Sequence, residues 1–146
     1  LDLHSDISRL EPKNLLPKIL LQNSKRDTIS SASLAKDKTT VIYFWSQTQM
    51  NHYRNSLERV NRFQKKYPSI RFVGICIQPF NSMVDEIQNI MEVDKKNQFA
   101  LVDFETARKA WVLTLLNKSI IIDSKGKILE GFGNFSDTNF ESSFKK

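Results

Sequence analysis

The sequence predicts an α/β fold built on a mixed sheet, and three stretches carry that reading. Thr39 to Tyr67, TTVIYFWSQTQMNHYRNSLERVNRFQKKY, joins a β-branched and aromatic run to an amphipathic helix. Ile70 to Ile77, IRFVGICI, is a second run of strand type. Enough chain separates the two for a right-handed crossover, so these strands are expected to be parallel neighbours. Ser119 to Asp123 and Lys127 to Phe132 flank a short loop ending in Gly126, the pattern of an antiparallel hairpin. At 146 residues, 40% hydrophobic and 26% charged, the chain suits one domain with a full core.

In chain order, Leu1 to Asn14 mixes charge and aliphatics without a period, and Pro12 interrupts any helix there. Residues 1–15 are read as a loosely packed lead-in, and 16–146 as the domain. Leu16, Ile19, Leu20 and Leu21 form an apolar segment, QNSKRD a polar turn, and Asp27 to Ala32 a second short extended piece. Val41 to Trp45 fits a strand buried on both faces. Tyr53, Leu57, Val60, Phe63 and Tyr67 recur at steps of three and four, which places them on one helical face until Pro68 stops the run. Phe80, Met83, Val84, Ile87, Ile90 and Met91 predict a second amphipathic helix whose methionines are read as core filler. Phe99 to Val102 is a short extended piece. Glu105 to Val112 is a short helix with Ala107, Ala110 and Trp111 on one face. Gly131 and Gly133 are expected to end the sheet. Thr138 with Glu141 makes a capping box, and Phe140 with Phe144 an i, i+4 pair, for a closing helix.

The formal charge of +6 comes from basic residues scattered among acids, with short clusters such as Lys65-Lys66 and Lys95-Lys96. A nucleic-acid footprint needs a basic stripe with a reading element, so no nucleic-acid partner is expected. Cys76 is the single cysteine, which rules out an intrachain disulfide and a zinc cluster built from thiolates. No metal and no cofactor is expected. No apolar run approaches the roughly 20 residues of a membrane span, and no signal peptide is recognised. A start at Leu1 rather than Met fits a processed or trimmed product.

The turn from Ser46 to His52 follows a strand and opens a helix, the place where open α/β sheets keep their sites. The run YFWSQTQMNHYR resembles the active-site segment of thioredoxin-like proteins of the TlpA and ResA type, which are related to the AhpC/TSA proteins. In that family a strand ending Phe-Trp precedes Trp-Cys-x-x-Cys and then Arg or Lys on the helix. Laid on this chain, the two cysteines fall at Gln49 and His52. The string IIIDSKGKILEGFGNF resembles the family's Leu-Ile-Asp-x-x-Gly-Lys-Ile hairpin, and the cis-proline before it falls at Asn117. Pro17, Thr28, Ile29 and Leu34 are similar in placement to the family's proline-bearing strand, edge strand and short helical turn. The resemblance implies a thioredoxin-like three-layer sandwich, a central mixed sheet flanked by helices with an N-terminal strand extension. It also implies a periplasmic or cell-envelope location.

Disulfide exchange needs an attacking thiolate, a resolving thiol and a helix amino-terminus that lowers the first thiol's pKa. Only the helix amino-terminus remains here. Cys76, between Ile75 and Ile77, reads as a small buried hydrophobe remote from the turn. His52 has no ligand cluster around it and reads as a polar residue of a first helical turn. Asp103, Glu105 and Asp123 are too isolated to form an acid/base pair, and Asp123 is placed in the hairpin turn. The family's turn and cis-proline loop bind an extended polypeptide, so the expected function is a non-enzymatic, redox-inactive module that binds a protein or peptide. Gln49, His52 and Asn117 are its candidate binding residues. The alternatives are an oxidoreductase relative using thiols from a partner chain, and a domain of a larger envelope protein with no site of its own.

Overall fold

Apolar side chains at alternate strand positions must be covered on both faces of the sheet, and the computed structural model shows how this chain does so. It describes residues 10–35, 38–79, 81–113, 118–134 and 140, with the backbone alone at position 132. Among these, the strands are β1 (Leu20–Gln22), β2 (Thr28–Ser30), β3 (Thr40–Trp45), β4 (Arg71–Cys76), β5 (Gln98–Leu101), β6 (Lys118–Ile122) and β7 (Ile128–Asn134). The helices are α1 (Met50–Lys66), α2 (Ser82–Ile90) and α3 (Phe104–Trp111). The strands form one sheet in the order β2-β1-β5-β4-β3-β6-β7. The β3-β4 and β4-β5 pairs are parallel and the others antiparallel, so the sheet is mixed as expected. The β1-β2 hairpin, attached through Leu21 opposite Leu101, is the N-terminal extension.

Residues one apart on a strand face opposite ways, and the core splits accordingly. Ile42, Phe44, Val73, Ile75, Ile120 and Ile122 pack with Leu10, Leu34, Ala107 and Trp111 on one face. Val41, Tyr43, Trp45, Phe72, Cys76 and Ile121 pack with Tyr53 and Phe63 of α1, Val84 of α2 and Phe140 on the other. These are the three layers. The helix starts follow the residue types present. Asn81 Oδ1 accepts the Val84 amide at 3.0 Å for α2, and Asp103 Oδ1 accepts those of Glu105 and Thr106 for α3. In the β6-β7 turn Asp123 Oδ1 accepts the amides of Lys125 and Lys127, while Gly126 supplies the positive φ of 87°.

Several expectations need correction. The lead-in does not pack loosely in its described part: Leu10 is fully buried, and Lys13 N donates to Ile128 O at 2.8 Å. Trp111 Nε1 donates to Pro17 O at 2.7 Å, tying α3 to the stretch just after the lead-in. β7 runs through Gly131 and Gly133 instead of ending there, because Gly131 leaves room for the backbone of Leu10 and Gly133 for Ser119. Met83 and Ile90 are 56% and 74% exposed, so only part of the apolar pattern of α2 faces the core. The closing helix expected from Thr138, Glu141 and Phe144 lies outside the described residues. Phe140 is buried with its ring 6.0 Å from Phe63.

Candidate functional site

The turn after β3 lies at the carboxyl end of the parallel strands, as its place between a strand and a helix requires. Gln49 is the N-cap of α1, yet its side chain makes no capping bond and is exposed. His52 follows in the first helical turn, half-buried. Asn117 lies outside the described residues. Gln49 and His52 are therefore brought together at the start of a 17-residue helix. Its unsatisfied amides and dipole create the positive field that would stabilise a thiolate there. Neither a carboxamide nor an imidazole supplies that thiolate.

The backbone amides of the turn are already engaged. Gln47 N donates to Gln78 Oε1 at 3.0 Å, Thr48 N to Ser46 Oγ at 3.2 Å, and Gln49 N to Ser46 O at 3.1 Å. Gln78 Nε2 donates to Ser46 Oγ at 2.8 Å, which in turn lies 2.8 Å from Thr48 Oγ1. Asn81 Nδ2 reaches Gln47 Oε1 at 3.3 Å. Gln78 thus latches the turn to the end of β4. Sequence reasoning missed it, and the available signal was its position directly after a strand expected to lie beside β3. With these donors used internally, the outward groups of the turn are side chains, above all Thr48 and Gln49.

Cys76 is not remote from this turn. Parallel register sets it opposite Trp45, the last residue of β3, and its Sγ donates to Gln78 Oε1 at 3.3 Å. It is nonetheless fully buried among core side chains. Burial pushes the thiol up to about 11, hydrogen bonds from Gln78 and Gln47 offsetting only part of the shift. At neutral pH the thiolate fraction is then on the order of one in ten thousand. A disulfide-type thiol reagent should leave Cys76 unlabelled in native buffer and label it once urea unfolds the chain. Fast stoichiometric labelling of the native protein would contradict this burial.

Beneath α1 a polar relay crosses three strands on one rung. Tyr43, Gly74 and Gln98 are register partners across β3, β4 and β5. Gln98 Nε2 donates to Tyr43 Oη at 3.1 Å, and Tyr53 Oη of α1 donates to Gln98 Oε1 at 3.1 Å. Burial pushes both phenols up, Tyr43 to about 12. Trp45 stacks on Tyr53 with ring centroids 3.8 Å apart. Relay and stack together fix the first turn of α1, and with it Gln49 and His52, on the sheet. Lys118, next to Asn117 in sequence, is 6% exposed, and burial pushes its ammonium down to about 8 against the pull of Glu130. Asp103 and Asp123 are engaged as cap and turn residues, as described above. Glu105 pairs with Arg108 at 3.0 Å. Among the described residues no group of His, Cys, Asp and Glu is placed to hold a metal ion. Nor is any helix there long and apolar enough to cross a membrane.

No family model and no curated protein matches this chain. Solved structures do. A candidate thiol-disulfide oxidoreductase from Bacteroides vulgatus superposes with a TM-score of 0.71 at 15% identity, over 94% of this chain and 97% of that one. A candidate thiol:disulfide interchange protein DsbE from Chlorobium tepidum gives 0.68 at 17%, over 91% and 92%. A thiol-disulfide oxidoreductase from Bacteroides fragilis gives 0.65 at 19%, over 88% and 95%. The chain therefore has the thioredoxin-like fold. Identities this low establish the architecture alone.

Proposed function

We propose that this chain is a redox-inactive thioredoxin-like domain that binds a protein or an extended peptide, as a recognition or scaffold module of the cell envelope. The observation that carries the reading is the replacement of both thiol positions at the start of α1 by Gln49 and His52, with the single cysteine buried below them. A mixed disulfide needs an accessible thiolate to form and a second thiol to resolve it. Cys76 meets neither requirement. What remains at the carboxyl end of the sheet is a rigid, internally bonded turn whose exposed side chains offer amide and hydroxyl groups to a partner. The fold supports this surface; the compartment rests on the resemblance alone.

The purified chain is expected to reduce insulin with dithiothreitol no faster than a no-protein control, and Cys76→Ala to change nothing. Turnover that Cys76→Ala abolishes would defeat the inactive reading. A photo-crosslinking residue at position 49 tests the binding surface. It should trap a defined partner that the same probe at Lys109 does not. If the trapped partner is a dithiol protein joined through its own cysteines, the alternative of thiols supplied by a partner chain takes over.

A further inference from the structure

The amino ends of the parallel strands, about 20 Å from the turn along β3, hold a feature that the proposed function does not use. An open groove of about 750 Å³ lies between the β1-β2 turn, the segment before β3, and the 3-10 turn Lys95–Asn97 that leads into β5. Its volume is within the range of ligand sites. Five cationic side chains line it, Lys25, Lys38, Arg71, Lys95 and Lys96, against two carboxylates, Asp27 and Asp94. The chain as a whole carries +6, so half of its excess positive charge faces this one groove.

The two kinds of cation are placed differently. Arg71 donates to Leu34 O at 3.1 Å, Asn97 Oδ1 at 2.9 Å and Lys96 O at 3.4 Å, so each of its three nitrogens is tied to the protein and three of its five donors are spent there. None of the four lysine ammonium groups is bonded to a partner among the described residues. Asp94 is tied into the turn, accepting the Lys96 amide at 3.1 Å and Asn97 Nδ2 at 3.3 Å, which weakens its hold on the neighbouring lysines. Like charges gathered in excess of their counter-charges repel one another and raise the local potential, an arrangement that an anionic partner relieves.

We infer that this groove docks an acidic, extended peptide segment of a partner protein. Three observations favour that occupant over a compact phosphate. The lysines come from three separate chain segments, so the positive charge is spread along the groove and not focused on one point. The one guanidinium, the group suited to bidentate phosphate recognition, is already engaged. The half-buried Ile29 of the edge strand β2 adds apolar surface between the charges, which suits a chain carrying both carboxylates and an aliphatic side chain. The inference stands apart from the turn site and survives if that site binds nothing.

The test is fluorescence polarisation with a labelled peptide of six glutamates around a central leucine, at low and at physiological salt. The wild-type chain should bind, and Lys25→Glu with Lys95→Glu and Lys96→Glu should weaken binding at least tenfold. The same three reversals at Arg62, Lys65 and Lys109, on exposed helix faces, should weaken it less than threefold. Amide shifts on titration should centre on residues 23–27 and 94–97. All six positions are on the surface, and circular dichroism checks that both variants fold. Equal losses in the two triple variants would reduce the effect to net charge and overturn the proposal. So would absence of binding at low salt. Displacement by inorganic pyrophosphate at a concentration well below that of a competing unlabelled peptide would overturn it in favour of a compact anion.

Discussion

Gly74→Ala should destabilise the fold by about 3 kcal/mol, combining overpacking of a filled core with disruption of a buried hydrogen-bond relay. A Cβ built on Gly74 meets Gln98 Oε1 at 2.7 Å and the Tyr43 ring and hydroxyl at 2.8 Å. Neither neighbour is a free side-chain end. Gln98 is held from both sides by Tyr43 and Tyr53, and all three are buried. To make room, the amide must leave at least one phenol without its partner. Since domains of this kind are stable by only about 5–15 kcal/mol, the loss should be plain as a lower urea midpoint with an unchanged slope. A neutral Gly74→Ala would mean that the rung has slack. Tyr53→Phe offers a milder probe of the same relay, removing one hydroxyl and leaving the stack on Trp45.

The unit β3-α1-β4 was legible because each of its parts is written as a continuous local pattern. Val41 to Trp45 and Arg71 to Cys76 lie in the sheet interior and need apolar residues on both faces, while the period of Tyr53, Leu57, Val60 and Phe63 marks the covering face of α1. The turn from Ser46 to His52 followed from the same pattern, and the resemblance singled out Gln49 and His52 within it. What sequence could not convey depends on register between strands. Cys76 beside Trp45, and Gly74 between Tyr43 and Gln98, are statements about which residues share a rung, and no local period encodes that. The groove lysines converge from positions 25, 38, 95 and 96 for the same reason. Met83 and Ile90 misled differently. Their spacing is helical, but α2 has nine residues, and its pattern is wider than the part of the sheet it covers. Gly131 and Gly133 resemble a strand terminus locally, yet Gly131 serves the close approach of Leu10 and Gly133 that of Ser119, its partner on β6.

Gln49→Cys with His52→Cys should turn a silent turn into a redox-active one. The helix start that thiol chemistry requires is still present: Gln49 sits at the N-cap, Tyr53 N donates to its carbonyl at 3.1 Å, and Trp45 on Tyr53 holds the first turn against the sheet. Residues three apart at a helix start have side chains about 5–6 Å apart at Cβ, near enough for a modest backbone adjustment to close a disulfide. The thiol introduced at position 49 would meet the positive end of α1 and titrate near 7 instead of about 8.5. Air oxidation should therefore leave one free thiol of three, the buried Cys76, and insulin reduction should rise clearly above the wild-type background. If the disulfide forms but turnover stays at background, the missing element is a substrate groove, and adding Asn117→Pro is expected to raise the rate by restoring the loop residue the family uses opposite its cysteines. If no disulfide forms under oxidising conditions, the latch from Gln78 through Ser46 holds the turn in a shape unlike that of an active oxidoreductase. Gln78→Ala in the same background should then release it, because removing the latch frees the amide of Gln47 and cuts the tie from Ser46 Oγ to the end of β4 at once.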